Sequence, residues 1–134
     1  MITCYLRYEV DPDKLADFEA YGAMWLDLVP RFGGIHHGYF LPSEGHSDIA
    51  LAMFSFPSLA AYEQYRKDAG ADPDVQKAVA FAKETRCFVR YERSFFRHCF
   101  RKQHRADRGK SVRPFFPKRF RQLPPLNLPS RQLA

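Results

Sequence analysis

A five-residue turn, Pro42-Ser43-Glu44-Gly45-His46, and Ser47 separate two strand-like runs, Ile35 to Leu41 and Asp48 to Phe56. So short a turn joins only antiparallel neighbours, because a parallel crossover needs about a dozen residues or more. A hairpin therefore occupies the middle of the chain, and the other elements have to be arranged around it.

Residues 2–10 alternate like a strand with unequal faces. Cys4, Leu6, Tyr8 and Val10 make a mainly apolar side, while Tyr5, Arg7 and Glu9 make a mixed one. Asp11-Pro12 then supplies an N-cap and a first helical residue. Leu15, Phe18, Tyr21 or Gly22, Trp25 and Leu28 or Val29 recur at helical spacing, which predicts one helix ending by Pro30 or at Gly33-Gly34, with Trp25 in the core. After the hairpin, Ser58 caps a second helix that carries Leu59, Tyr62 and Tyr65. Ala71-Asp72-Pro73-Asp74 interrupts it, and a helical piece resumes through Lys83 with Val75, Val79 and Ala82 or Phe81 inward. Arg86 to Phe96 is the last strand.

The order β-α-β-β-α-β predicts an α+β, ferredoxin-like protomer, a four-stranded antiparallel sheet with two helical segments on one face. The other face stays open. It is expected to carry Tyr5, Arg7 and Glu9 from the first strand and Phe88, Arg90, Glu92 and Ser94 from the last, alternating with Cys87, Val89 and Tyr91. A face so aromatic and charged is seldom left bare, so pairing with a second copy is expected.

Charge divides the chain at residue 97. Residues 1–97 hold eleven Lys/Arg against fourteen Asp/Glu, a balance of −3, whereas residues 98–134 hold ten against one, a balance of +9. The pI near 9.4 thus belongs to the Arg/Pro-rich tail rather than to the domain. Three readings of the tail stand: a frameshift or read-through extension, a basic interaction tail, and an arm that clasps a dimer. Nucleic-acid binding through it lacks a fold signature, and its prolines oppose regular helix. No apolar run reaches the roughly 18 residues a membrane span needs. The N-terminus has no signal-peptide pattern, and the three cysteines have no CxxC spacing, so a cytoplasmic protein with buried Cys4 and Cys87 is expected.

The run Gly33-Gly34-Ile35-His36-His37-Gly38-Tyr39-Phe40-Leu41-Pro42-Ser43-Glu44-Gly45 resembles the central signature of the NIPSNAP family. Met53-Phe54-Ser55-Phe56-Pro57-Ser58-Leu59-Ala60-Ala61-Tyr62 and Arg90-Tyr91-Glu92-Arg93-Ser94-Phe95-Phe96 are similar to its next two blocks, in the same order. The resemblance implies a ferredoxin-like protomer that pairs into a dimeric α/β barrel, and it implies no settled activity.

Candidate chemistry is sparse. Successive residues on a strand point to opposite faces, so His36 and His37 cannot chelate one metal from the same side. If His37 shares the face of Tyr39, it is the candidate general base or anion-binding group. Arg7, Arg90 and Glu92 are expected on one face, as a ligand cradle or as an ion-pair network. The candidate ligand-binding set is therefore Tyr5, Arg7, His37, Tyr39, Arg90 and Glu92, lining the interior of a barrel made by two copies. No phosphate loop, GxSxG or HExxH is present, and His98, Cys99 and His104 are too few for a structural zinc site, so neither metal nor cofactor is expected. The function expected is small-molecule binding in that cavity. The alternative is a cofactor-independent or haem-linked monooxygenase or isomerase using the same cavity.

Overall fold

The computed structural model describes residues 1–99. The readings of the tail, and of His104, therefore lie beyond Cys99, outside the described residues.

Strand β1 (Ile2–Val10) buries every second residue, as its alternation requires. Asp11 ends it, and its Oδ1 accepts from Asp13 N at 3.0 Å to cap a 3-10 turn, Pro12–Lys14, that feeds helix α1 (Leu15–Arg31). Pro30 lies inside the last turn of α1 rather than before it. The chain then reverses at Gly33, with φ +85, into β2 (Ile35–Phe40). Strand β3 (Ile49–Phe56) completes the hairpin. Ser58 Oγ accepts from Ala61 N at 3.1 Å at the start of α2 (Leu59–Ala71). Asp72 is extended, as a residue before proline prefers, and its Oδ1 accepts from Asp74 N and Val75 N to start α3 (Pro73–Thr85). The interrupted second segment is thus two complete helices. Strand β4 (Phe88–Arg97) closes the sheet.

The sheet runs β2-β3-β1-β4 with every pair antiparallel, and β1 is central with both edges bonded. Cys4, Leu6, Tyr8 and Val10 from β1 and Ala50, Ala52, Phe54 and Phe56 from β3 form the floor of one core under the helices. Phe18, Val29, Tyr62 and Tyr65 descend onto it from α1 and α2. Cys4 and Cys87 are both buried thiols, and burial pushes Cys4 up to about 11, so it stays a protonated, small apolar residue.

Two positions differ from the alternation expected of β4. The register slips between Glu9 and Val10, which pair with Arg90 and Phe88 and leave Val89 unmatched. This bulge rotates Phe88 to the helix side, where its ring meets Tyr8 at 5.1 Å, and turns Val89 outward to 75 % exposure. Phe88 therefore does not belong to the open face. In α3, Val79 is not an inward core residue but stands 41 % exposed.

Gly34 marks the tightest approach between α1 and the sheet. A Cβ there would stand 2.6 Å from Val29 Cγ1 and 2.7 Å from Phe56 Cζ, both fully buried groups with no room to retreat. Gly34→Ala is expected to lower the unfolding free energy by about 1–3 kcal/mol, the usual cost of overpacking, and Phe18→Ala by roughly 3–5 kcal/mol through the cavity it leaves. Urea denaturation checks both. A Gly34→Ala midpoint equal to that of the parent would mean that the α1–β2 corner yields freely.

Candidate functional site

An extra residue in β2 decides which side each histidine serves. His36 pairs with Phe54 and Gly38 with Met53, so His37 bulges out of the ladder. Gly38 adopts φ +114, a left-handed conformation that side chains disfavour, and its N–H donates to His36 Nδ1 at 2.9 Å. The bulge places His36, not His37, on the helix side with Tyr39, where the two rings stack 5.2 Å apart. A glycine inside a strand pattern is the sequence signal for such a bulge, and Gly38 carried it.

Five of the six residues expected to bind ligand lie on the open face, and Tyr39 is the exception. Arg7 stands opposite Glu92 in the register, while Arg90 Nε donates to Glu9 Oε2 at 2.6 Å and Arg90 lies 4.0 Å from Glu92, so Glu9, Arg90 and Glu92 form a network. Tyr5 packs edge-on against Phe96 at 5.9 Å. His37 Nε2 bonds Ser55 Oγ at 2.6 Å, Ser55 Oγ bonds Thr3 Oγ1 at 2.8 Å, and Thr3 Oγ1 meets His98 Nε2 at 3.0 Å. A continuous row of polar side chains thus crosses the open face, with exposed Ile35, Phe40 and Phe96 around it.

A second, half-open space is on the other side. Between the helices and the sheet lies a cavity of about 550 Å³. Six of the seven tyrosines, Tyr8, Tyr21, Tyr39, Tyr62, Tyr65 and Tyr91, stand in its wall with Trp25, His36 and Phe88. Four buried side-chain atoms among the described residues have no hydrogen-bond partner: Trp25 Nε1, His36 Nε2, Tyr62 OH and Arg93 Nε. All four belong to side chains of this wall. Unpartnered buried polar atoms are rare in folded proteins and each costs about 1–3 kcal/mol, so their convergence on one cavity distinguishes it from ordinary core.

Burial sets the protonation of the wall. It raises Tyr8 well above the ordinary phenol range, with the nearby Tyr39 and Tyr21 hydroxyls adding to the effect. Burial likewise pushes Tyr21 up to about 12 and raises Tyr39, Tyr62 and Tyr65. All are neutral phenols at physiological pH. His36 is pulled down to about 4, first by burial and then by the neighbouring His37, so its imidazole is neutral.

The sequence places Tyr8 on the apolar face of the first strand, Tyr21 or Gly22 on the inward stripe of the first helix and Trp25 in the core. Tyr8 and Tyr21 are buried there, with Tyr62 and Tyr65 from α2, and Trp25 packs partly buried against them. A signal lay in the residue type: a phenol needs a partner for its hydroxyl that phenylalanine would not. The period-two alternation of β4 already puts Arg93 on the face of Tyr91, opposite Leu6, but only the packing of the helices over that face makes it part of the same wall.

Compared with known proteins, residues 5–99 match the NIPSNAP family model. A NIPSNAP family protein with unknown function from Agrobacterium tumefaciens is 15% identical with TM-score 0.63, covering 72% of this chain and 86% of its own. An uncharacterized NIPSNAP-like domain protein from Burkholderia xenovorans is 16% identical with TM-score 0.63, covering 88% of this chain and 96% of its own. A protein provisionally named as an antibiotic biosynthesis monooxygenase, from Nitrosomonas europaea, is 10% identical with TM-score 0.57, covering 75% of this chain and all of its own. At such identities the likeness is one of fold, and it agrees with the ferredoxin-like arrangement read from the sequence. Among curated proteins, no match is found.

The depressed His36 has a consequence for stability. Below about pH 6.5 an unfolded chain protonates this imidazole, whereas the folded chain resists until about pH 4. The unfolded state then binds more protons, so stability falls as pH drops through that window. His36→Asn keeps an acceptor for Gly38 N–H without a titrating ring. Its melting temperature is expected to decline less between pH 6.5 and pH 4 than that of the parent, and parallel declines would show that His36 titrates freely.

Proposed function

The chain belongs to the NIPSNAP family, within the dimeric α/β barrel superfamily, and we propose that it is a small-molecule-binding protein whose ligand sits in the cavity between helices and sheet. The convergence of all four unpartnered polar atoms of the described residues on that one wall carries this reading. Its size and its lining, rich in aromatic rings, suit an organic ligand, since such pockets typically measure about 300–1,000 Å³. This locates the ligand within one protomer, on the opposite side of the sheet from Tyr5, Arg7, His37, Arg90 and Glu92.

The open face serves a different purpose in this proposal, the pairing of two copies in the cytoplasm. Ile35, Phe40, Leu51, Met53 and Phe96 supply apolar area, while Arg7, Arg90, Glu9 and Glu92 give a row of both signs that a second copy can complement under two-fold symmetry. No helix among the described residues is long and apolar enough to cross a membrane.

The second reading is a monooxygenase or isomerase working in the same cavity, favoured by the likeness in fold to the Nitrosomonas europaea protein. The histidine available to it there is His36. Because Gly38 N–H occupies Nδ1, the neutral ring carries its proton on Nε2 and acts as a donor to a substrate oxygen. The same tautomer leaves no imidazole lone pair for a haem iron, so the wall does not fit a histidine-ligated haem and no step is derived through one.

In isothermal titration at pH 7, 2-naphthamide is expected to bind once per protomer, and Val79→Trp, which places an indole in the wall, is expected to weaken it at least roughly tenfold, or about 1.4 kcal/mol. Binding unaffected by Val79→Trp would place the site elsewhere. Light scattering is expected to give twice the protomer mass, and Met53→Glu on the open face is expected to give the monomer. A dimer that survives Met53→Glu would remove the open face from the interface.

A further inference from the structure

All four unpartnered atoms can donate a hydrogen bond. Trp25 Nε1 and Arg93 Nε can only donate. His36 Nδ1 accepts from a backbone N–H, which cannot itself accept, so the neutral ring bears its hydrogen on the unpartnered Nε2. The Tyr62 hydroxyl can donate or accept. Three of the four unanswered atoms are therefore donors and the fourth can serve as one, so an acceptor would answer all four.

The charges of the wall repeat the same message. Arg66, Lys83, Arg86 and Arg93 line the cavity, and no Asp or Glu does. This is the reverse of residues 1–97 as a whole, where acids are in excess. The side chains of these four cations join no ion pair among the described residues. Arg86 is held at φ 51, the one non-glycine among the described residues with positive φ, a conformation glycine would adopt without strain. Arg93 lies between two rings, 5.4 Å from Tyr91 and 6.0 Å from Tyr62, and Arg66 follows Tyr62 by one turn of α2.

We propose that the cavity takes a flat aromatic carboxylate, with its carboxylate at the Arg66–Arg93 end beside Tyr62 and its ring system among the tyrosines. This rests on the cavity being the ligand site. A carboxylate is an acceptor at both oxygens and matches a guanidinium in charge and geometry. A neutral hydrocarbon would leave the donors and cations unanswered, and an inorganic anion would leave the aromatic walls unfilled.

The test uses the full chain and two isosteric probes, 2-naphthoate and 2-naphthamide, titrated at pH 7 in low and moderate salt. Naphthoate is expected to bind about tenfold tighter, the effect of one charge-assisted hydrogen bond, and to weaken with salt while naphthamide does not. Arg66→Gln changes an exposed residue that the core does not need. It is expected to weaken naphthoate more than naphthamide, so that the preference falls to within about twofold. Arg93→Gln is expected to do the same, provided its circular dichroism matches that of the parent. Equal affinity for the two probes, or a preference that survives Arg66→Gln and Arg93→Gln, overturns the carboxylate and leaves the cavity standing. Binding of neither probe, or binding indifferent to Val79→Trp, overturns both.

Discussion

The Tyr8 ring, on the central strand, is held among Phe18, Phe88, Tyr91, Tyr39 and Tyr21 at centroid separations of 5.0, 5.1, 5.6, 6.1 and 6.4 Å. These five partners come from α1, β2 and β4, so one buried phenol ties both sheet edges and the first helix together. Edge-to-face and tilted contacts of this kind contribute beyond the apolar area they bury. Tyr8 and the neighbouring Tyr39 and Tyr21 hydroxyls act on one another, and all three side chains border the cavity. Core and candidate site are therefore built from the same residues.

Two irregularities in the sheet direct this cluster. The slip at Glu9/Val10 brings Phe88 to Tyr8 and sends Val89 outward. The bulge at His37 brings His36 to Tyr39 and sends His37 to Ser55. A single inserted residue reverses the facing of what adjoins it, because side chains alternate with period two. Without either bulge, the cavity would lose a ring of its wall and the open face would gain one.

The sheet thereby separates two kinds of polar chemistry. On the open face, donors and acceptors answer one another, through Arg90 with Glu9 and through the row from His37 to His98. On the helix side, hydrogens and positive charge are left unanswered. A satisfied surface is suited to packing against a copy of itself, and an unsatisfied cleft is suited to a ligand that completes it.

Local chemistry determined the element order, the caps at Asp11 and Ser58, the central hairpin and the buried face of β1, because each depends on residue type and spacing within a few positions. Periodicity also brought Arg7, Arg90 and Glu92 to one face. Tertiary structure decided the rest. Whether Tyr39 meets His36 or His37 depends on a ladder register that exists only when β2 pairs with β3. Whether Arg93 enters an aromatic wall or a solvated surface depends on β4 lying beside β1 under the helices. A cavity is the space that packed elements fail to fill, and that is a property of several elements together, which a residue pattern along one strand or helix does not contain.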